Sequence, residues 1–393
     1  MNTLENAFSE KKLGHSKLKL KNVFIRSAAY EGMFDEGVPN QKLIDHHVAM
    51  ARGGVALTTV SYGAVSADGR TFNDQMYIHN RSLKELKVLA AEVHSAGGKV
   101  SLQLTHCGYF SKNKDIKNPL APSRVFNAYG FLSGIIFSRS MATTDMESVS
   151  NDFAEAARAV KEAGFDAAEI HMGHGYLLSQ FLSPRTNKRK DEYGGSIQNR
   201  SRFPLEVLKQ VRAAVGEDFP VLVKLNLNDG FRGGFSIEDC KYVSLELERN
   251  GCTAIVLSGG FTSKSPFYLM RGKVPLGGMI RNGSSGAEKL SMAIFGPIII
   301  KRFRFTPNFF LEQAKEIRKV VSMPLVYLGG VDSKHGIEEI LDAGFDFIAM
   351  ARALIHDPDF LLKLRANQIE KTECTRCNKC VVEMDRGGVK CVL

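Results

Sequence analysis

Two histidines and a tyrosine stand within six residues in the segment HMGHGY, as His171, His174 and Tyr176. An imidazole can bind an anion or a carbonyl oxygen, and a phenol can deliver a proton. The run DAAEIHMG at 166–173 predicts a β-strand, so the three groups are expected at a strand end, rigidly held yet open to solvent. One histidine alone could simply pack against its neighbours, but three polar rings together favour a catalytic or binding site.

Apolar segments that predict strands alternate along the chain with amphipathic segments that predict helices. The strands are near-continuously apolar, as expected when both faces of a parallel sheet are covered. Eight such units without an obvious linker predict an α/β fold of the (β/α)8 TIM-barrel class rather than an open sheet. No GxGxxG follows any strand, so a dinucleotide-binding domain has no support. The predicted strands are 22–30, 55–63, 99–108, 166–173, 219–229, 253–260, 324–332 and 346–355.

Two connections are too long for simple barrel turns: 109–145 after strand three and 261–307 after strand six. Long loops at this rim usually shape a substrate pocket or form a lid. The second loop carries GGMIRNGSSG, whose glycines predict mobility, with a disordered or partner-binding loop as the alternative.

Polar residues at the carboxyl ends of barrel strands converge on one site. Gly329 and Gly330 precede a predicted helix that opens with SKHG, and Arg352 follows strand eight. Glycine amides, a helix N-terminus and an arginine together favour a phosphate, although a glycine pair before a helix can be an ordinary turn.

An amide at Gln103 and a cation at Lys224 complete a set of groups that suits flavin mononucleotide (FMN). The amide can bond the pyrimidine edge of the flavin, and the lysine can stabilise negative charge near N1 of the reduced ring. The alternative for Lys224 is a buried ion pair with a carboxylate such as Asp229.

Composition excludes several classes of protein. The chain is 44% hydrophobic and 24% charged, and no apolar run reaches the ~18 residues of a membrane span. The net charge of +10 is dispersed, which argues against nucleic-acid binding. The N-terminus lacks the apolar centre of a signal peptide, so a cytoplasmic protein without a membrane partner is expected, with a homo-oligomer left open.

Four of the seven cysteines cluster near the C-terminus as Cys374, Cys377, Cys380 and Cys391. Their spacing, C-x2-C-x2-C-x10-C, is typical of a [4Fe–4S] cluster or a zinc site, with unliganded thiols as a third interpretation. We therefore predict an FMN-binding barrel at 1–370 and a metal-binding tail at 371–393 packed on it.

Three segments carry a resemblance to a known family: LQLTHCG at 102–108, EIHMGHGYLLSQFLSPRTNKRKDEYGGSIQNRSRF at 169–203 and LGGVDSKHGIEEILDAGFDFIAMARALIHDPDF at 328–360. Through them the chain resembles the old yellow enzyme family of FMN-dependent oxidoreductases over nearly its whole length. The resemblance implies that His171 and His174 hold the carbonyl or anionic group of a small-molecule substrate and that Tyr176 donates a proton to the alkene. It also implies a flavin pocket lined by Ser27, Ala28, Tyr62, Gln103, Lys224, Gly330, Ala351 and Arg352.

The sequence departs from the family pattern at three positions. Lys224 stands where many members have arginine, Tyr109 replaces a common arginine, and Tyr30 sits where some members place a cysteine or threonine that tunes the flavin. The first change keeps the charge and loses the forked geometry of a guanidinium.

The cysteine pattern is similar to that of the trimethylamine dehydrogenase and 2,4-dienoyl-CoA reductase branch, which implies a [4Fe–4S] cluster beside the FMN. That branch continues into further nucleotide-binding domains, so electrons are here expected from NAD(P)H directly or from a separate electron-transfer protein. The expected function is FMN-dependent, NAD(P)H-linked reduction of an activated C=C bond, with hydride from flavin N5 and a proton from Tyr176. An amine dehydrogenase or demethylase, or a non-catalytic electron relay, are the alternatives.

Overall fold

Eight parallel strands close into a barrel in the computed structural model, which describes residues 3–393. Each strand pairs with the next along the chain, and the eighth pairs with the first, which confirms the predicted (β/α)8 fold. The strands are β1 Phe24–Arg26, β2 Leu57–Ala64, β3 Lys99–Thr105, β4 Ala167–Met172, β5 Val221–Asn226, β6 Ala254–Ser258, β7 Leu325–Leu328 and β8 Phe347–Met350.

Helices surround the barrel, and the longer ones other than Gly286–Ile299 bury an apolar face on it. Side-chain oxygens of Ser196, Ser236 and Ser333 accept hydrogen bonds from backbone amides at three helix starts. The helices are α1 Thr3–Ala7, α2 Gln41–Arg52, α3 Asn80–Ser95, α4 Thr143–Glu162, α5 Leu177–Leu182, α6 Ile197–Val215, α7 Ile237–Arg249, α8 Leu276–Arg281, α9 Gly286–Ile299, α10 Leu311–Arg318, α11 Lys334–Asp342, α12 Arg352–His356, α13 Phe360–Arg365 and α14 Lys379–Glu383.

The strand register brings polar residues of three neighbouring strands together. Glu169 of β4 lies opposite Gln103 of β3, and His171 of β4 lies opposite Lys224 of β5. Residues two apart on a strand share a face, so Glu169 and His171 point the same way. The barrel therefore presents these four side chains as one group.

Strands seven and eight are shorter than the sequence predicts. β7 stops at Leu328 because Gly329 and Gly330 adopt φ of 152° and 84°, which turns the chain out of the sheet. β8 stops at Met350, and α12 begins at Arg352. The prediction of a strand over 346–355 is therefore wrong at its end, and Arg352 is the first residue of a helix.

The loop 261–307 contains regular structure that the sequence analysis does not predict. It forms α8 and α9, and Pro297 lies in the last turn of α9. There a missing N–H removes a single backbone hydrogen bond. Lys112 of the loop 109–145 forms an ion pair with Glu288 of α9, so the two long loops touch.

The C-terminal segment 371–393, called the cysteine tail below, packs on the barrel. The Asn378 amide donates to the carbonyls of Met270 and Lys273 at 2.6 and 2.9 Å. A Cβ on Gly278 would lie 2.8 Å from a methyl of Val382, so α8 and α14 are in close contact. Among residues 3–393, no helix is long and apolar enough to cross a membrane.

Candidate active site

A cavity of about 250 Å³ lies where the carboxyl ends of the barrel strands meet. The cysteine tail supplies part of its wall through Val381, Met384 and Val389, which the sequence analysis did not include. Every predicted substrate- or flavin-facing residue except Lys224 lines the cavity: Ser27, Ala28, Tyr62, Gln103, His171, His174, Tyr176, Gly329, Gly330, Ala351 and Arg352.

The two histidines stand at one wall with ring centroids 4.9 Å apart. The backbone amide of Gly173 donates to Nδ1 of His171 at 3.2 Å, which makes Nε2 the protonated nitrogen of the neutral ring. Nε2 of His174 lies 2.7 Å from Oγ of Ser258. Burial lowers the pKa of His171 well below its usual value and that of His174 to about 3. Both rings are therefore neutral hydrogen-bond donors near pH 7.

A tight turn places these groups. His174 has φ of 57°, stabilised by a hydrogen bond from its amide to Oδ1 of Asn226 at 3.0 Å. Gly175 has φ of 80°, and a Cβ there would lie 2.3 Å from the ring of Phe261. Only glycine fits at this position, so the turn that places His174 and Tyr176 at the cavity wall depends on Gly175.

Tyr176 is buried at the same wall. Its hydroxyl donates to the hydroxyl of Tyr62 at 2.8 Å, and its ring lies 4.6 Å from that of His171. Burial raises the pKa of Tyr176 well above its usual value, although the hydrogen bond with Tyr62 opposes this shift. The phenol therefore stays protonated at neutral pH, as a proton donor must.

Glu169 connects Gln103 to Lys224. Its Oε1 accepts from Nε2 of Gln103 at 2.6 Å and pairs with Nζ of Lys224 at 3.0 Å, all three side chains being buried. Lys224 lies behind the cavity wall, with Nζ 3.3 Å from Oγ of Ser27. Burial lowers the pKa of Lys224, and Glu169 opposes that shift. The carboxylate partner of the lysine is thus Glu169 rather than Asp229. The sequence analysis missed Glu169, although a glutamate inside an apolar predicted strand could have indicated a buried ion pair.

The opposite end of the cavity is formed by the glycine pair and Arg352. A Cβ on Gly330 would lie 2.7 Å from the ring of Phe309, so only bare backbone fits there. Nη1 of Arg352 donates to the carbonyl of Arg271 at 2.9 Å and to Oδ1 of Asn378 at 2.7 Å. Arg376 lines the same end and pairs with Asp332. This end is cationic.

The four tail cysteines line a second, smaller cavity together with His356 and Arg352. Nδ1 of His356 is 3.3 Å from Sγ of Cys391. Burial, with help from the neighbouring thiols, raises the pKa of Cys380 to about 11. Within residues 3–393 no three His, Cys, Asp or Glu side chains are close enough to form a metal site as they stand. Cys107, Cys240 and Cys252 are buried elsewhere.

A buried ionic group lies behind the β1 side of the cavity. Nη1 of Arg26 is 2.6 Å from Oε1 of Glu31, and both side chains are fully buried. The amide of Ser61 donates to Oε2 of the same carboxyl at 2.8 Å. Burial outweighs these partners and raises the pKa of Glu31 to about 7.

Known proteins share this architecture. Residues 8–253 match the family described as NADH:flavin oxidoreductase / NADH oxidase. The chain is 37% identical to 4,4'-dithiodibutanoate disulfide reductase of Rhodococcus erythropolis, over 96% of this chain and 92% of that protein. It is 31% identical to NADH oxidase of Thermoanaerobacter brockii, over 96% of this chain and 54% of that protein.

Among solved structures, the complex of 2-naphthoyl-CoA reductase with 2-naphthoyl-CoA superposes with a TM-score of 0.82 at 23% identity. That match covers 98% of this chain and 56% of the other. The chain therefore spans most of the Rhodococcus protein and about half of the two longer ones.

Proposed function

Because the chain belongs to the NADH:flavin oxidoreductase / NADH oxidase family, as its resemblance to old yellow enzymes predicts, we propose that it is an FMN-dependent reductase of activated C=C bonds. The observation that carries the proposal is the wall formed by Tyr176 and the two neutral histidines. Two hydrogen-bond donors beside a protonated phenol suit an alkene conjugated to a carbonyl.

FMN fits the cavity by the chemistry of its lining. Because Glu169 accepts from the NH2 group of Gln103, Oε1 of that amide is free to accept from the flavin edge. Oγ of Ser61, on the cavity wall, is buried without a hydrogen-bond partner, which is typical of a group that bonds a ligand. Gly330 and Arg352 would hold the phosphate at the cationic end.

The bound flavin would supply a hydride at N5 after reduction by NAD(P)H. His171 and His174 would donate hydrogen bonds to the carbonyl oxygen of the substrate and so draw electron density from the β-carbon. Tyr176 would transfer its proton to the α-carbon, and Tyr62, in hydrogen-bond contact, holds that hydroxyl in place. Lys224 orients Ser27 and keeps a positive charge behind the wall.

The test is an anaerobic two-step experiment on purified protein. NADH or NADPH is first used to bleach the visible absorbance of the oxidised flavin. The reduced protein is then mixed with 2-cyclohexenone or an organic disulfide, and a separate sample of oxidised protein is mixed with an amine. Reoxidation by the enone supports the proposal. A flavin that the enone leaves reduced contradicts it: bleaching of the oxidised flavin by the amine would then point to amine oxidation, and no reaction with any probe would point to electron relay.

Disulfide reduction is the second candidate, favoured by the 37% identity to the Rhodococcus disulfide reductase over most of both chains. Reduction of a disulfide takes a hydride and a proton and releases two thiols. Neutral histidine donors suit a carboxylate substituent, and Tyr176 can protonate the departing thiolate. The same two-step experiment separates the candidates by the probe that reoxidises the flavin faster.

We also propose that the cysteine tail binds a [4Fe–4S] cluster, with zinc as the alternative. All four thiols line one small cavity, and their number and type match the donor set of such a cluster, although they would have to move closer together to bind it. Cys377→Ser should lower bound iron and remove the broad absorbance of anaerobically purified protein, whereas Cys240→Ser, a buried cysteine far along the chain, should not. Equal iron in both variants would contradict the assignment, and zinc in place of iron would select the alternative.

A further inference from the structure

Helix α9 exposes a stripe of large apolar side chains. Leu290, Ile294 and Ile298 follow one another at intervals of four residues, and Phe295 and Ile299 lie beside them. Their exposed fractions run from 52% for Phe295 to 78% for Ile298. Only Gly296 of this helix is buried, where a Cβ would lie 2.8 Å from Leu276. Contiguous exposed apolar surface of this kind usually contacts a partner.

Basic residues flank the stripe on both sides. Arg281 and Lys289 precede it, and Lys301, Arg302 and Arg304 follow it, all exposed. No salt bridge is formed by these five side chains within the part of the chain that the structure describes. The single acidic residue of α9, Glu288, is already paired with Lys112. The stripe is therefore preceded and followed along the chain by exposed basic residues that form no salt bridge among the described residues.

We propose that α9 docks on an anionic lipid surface, with its apolar stripe in the headgroup region and its basic flanks against lipid phosphates. A helix of 14 residues is about 21 Å long, too short to cross a bilayer core of roughly 30 Å, so it lies along the surface. Basic residues beside an anionic leaflet strengthen such binding, and salt weakens their contribution.

A second copy of the chain fits this surface less well. Antiparallel pairing of two α9 helices brings Lys289 of one copy near Lys301 and Arg302 of the other, with no free carboxylate on either helix to compensate. The sequence-based expectation of no membrane partner rested on the lack of a spanning segment, and surface docking needs none.

The docking surface is continuous with the wall of the cavity. α8 joins α9 at Leu276 and contacts Val382 of the cysteine tail through Gly278. The neighbouring tail residues Val381 and Met384 line the cavity. None of the α9 residues lines it, so changes to the stripe leave the proposed chemistry untouched.

The test is sedimentation of the full-length protein with vesicles of phosphatidylcholine alone or mixed with phosphatidylglycerol. Wild type should bind the mixed vesicles, more weakly as salt rises. Ile298→Ser with Ile299→Ser, and separately Lys301→Glu with Arg302→Glu, should each weaken binding at least about tenfold. Val88→Ser with Leu362→Ser, at two positions each 43% exposed outside α9, is the matched control and should bind as wild type does.

Light scattering and flavin turnover complete the test. All three variants should keep the wild-type rate with a soluble enone, which shows that they fold. Failure of wild type to bind the anionic vesicles overturns the proposal. So does a wild-type dimer that the Ile298 and Ile299 substitutions dissociate, because the stripe would then be an interface between two copies.

Discussion

Tyr176→Phe isolates the proton donor, because it removes one hydroxyl and keeps the buried ring. The lost hydrogen bond to Tyr62 should cost about 1 kcal/mol of stability, so the variant should fold and bind flavin. General acid catalysis contributes on the order of 10² to 10⁴ in rate. The Tyr62 hydroxyl, 2.8 Å from that of Tyr176, can partly substitute as a donor, so we expect a loss near the lower end, about a hundredfold. That loss corresponds to about 2.7 kcal/mol in activation free energy.

Stopped-flow spectroscopy separates the two half-reactions. Reduction of the flavin by NAD(P)H needs no proton from Tyr176 and should stay within about threefold of wild type, whereas reoxidation by 2-cyclohexenone should slow about a hundredfold. Tyr109→Phe is the matched control: Tyr109 is as buried, forms one hydrogen bond with Ser263 at 3.0 Å and does not line the cavity. Reoxidation at the wild-type rate in Tyr176→Phe, or an equal loss in Tyr109→Phe, would refute this role for the tyrosine.

Three further predictions concern the charges around the site. Glu169→Gln leaves Lys224 without its counter-charge and should lower the free energy of unfolding, measured in urea, by about 3–5 kcal/mol. Glu155→Gln, which breaks an exposed pair with Arg158, is the control and should change that free energy by less than about 1 kcal/mol. Similar losses in the two variants would contradict the buried pairing. The pKa of Glu31 is raised to about 7 in the folded protein, whereas the unfolded chain releases this proton near 4.5, so the free energy of unfolding should fall as pH rises between these two values. Glu31→Gln should flatten the plot of this free energy, taken from denaturation curves, against pH. An unchanged slope would exclude this carboxyl as its source. Burial keeps the pKa of His171 and His174 low, so the plot of kcat/KM for an enone against pH should show no histidine inflection between about pH 5 and 8. An inflection in wild type that is lost in His174→Asn would contradict this prediction, because it would show that the imidazole of His174 titrates in that range.

The sequence predicts the barrel because apolar strand segments and amphipathic helix segments can each be recognised from neighbouring residues alone, without knowledge of tertiary contacts. It also predicts that HMGHGY, Gln103 and the glycine pair face one cavity, since strand ends converge in any barrel. The helices of the loop 261–307 were missed because the large apolar side chains of α9 are exposed instead of packed on the core, so the segment does not show the pattern of a core-facing helix.

Pairings between distant strands were harder to predict. Lys224 could reach several carboxylates by spacing alone, and only the register of β4 with β5 selects Glu169. Likewise, nothing local indicates that the cysteine tail forms a wall of the cavity, since that contact joins residues far apart in the chain.

Asn378 ties the cysteine tail to the rest of the cavity. Its NH2 group donates to the loop after β6, and its Oδ1 accepts from Arg352. Local unfolding of the tail therefore breaks these bonds and opens the cavity wall at the same time. A ligand that fills the cavity stabilises the tail by the same linkage, so amide hydrogen exchange in the tail should slow when the cavity is occupied.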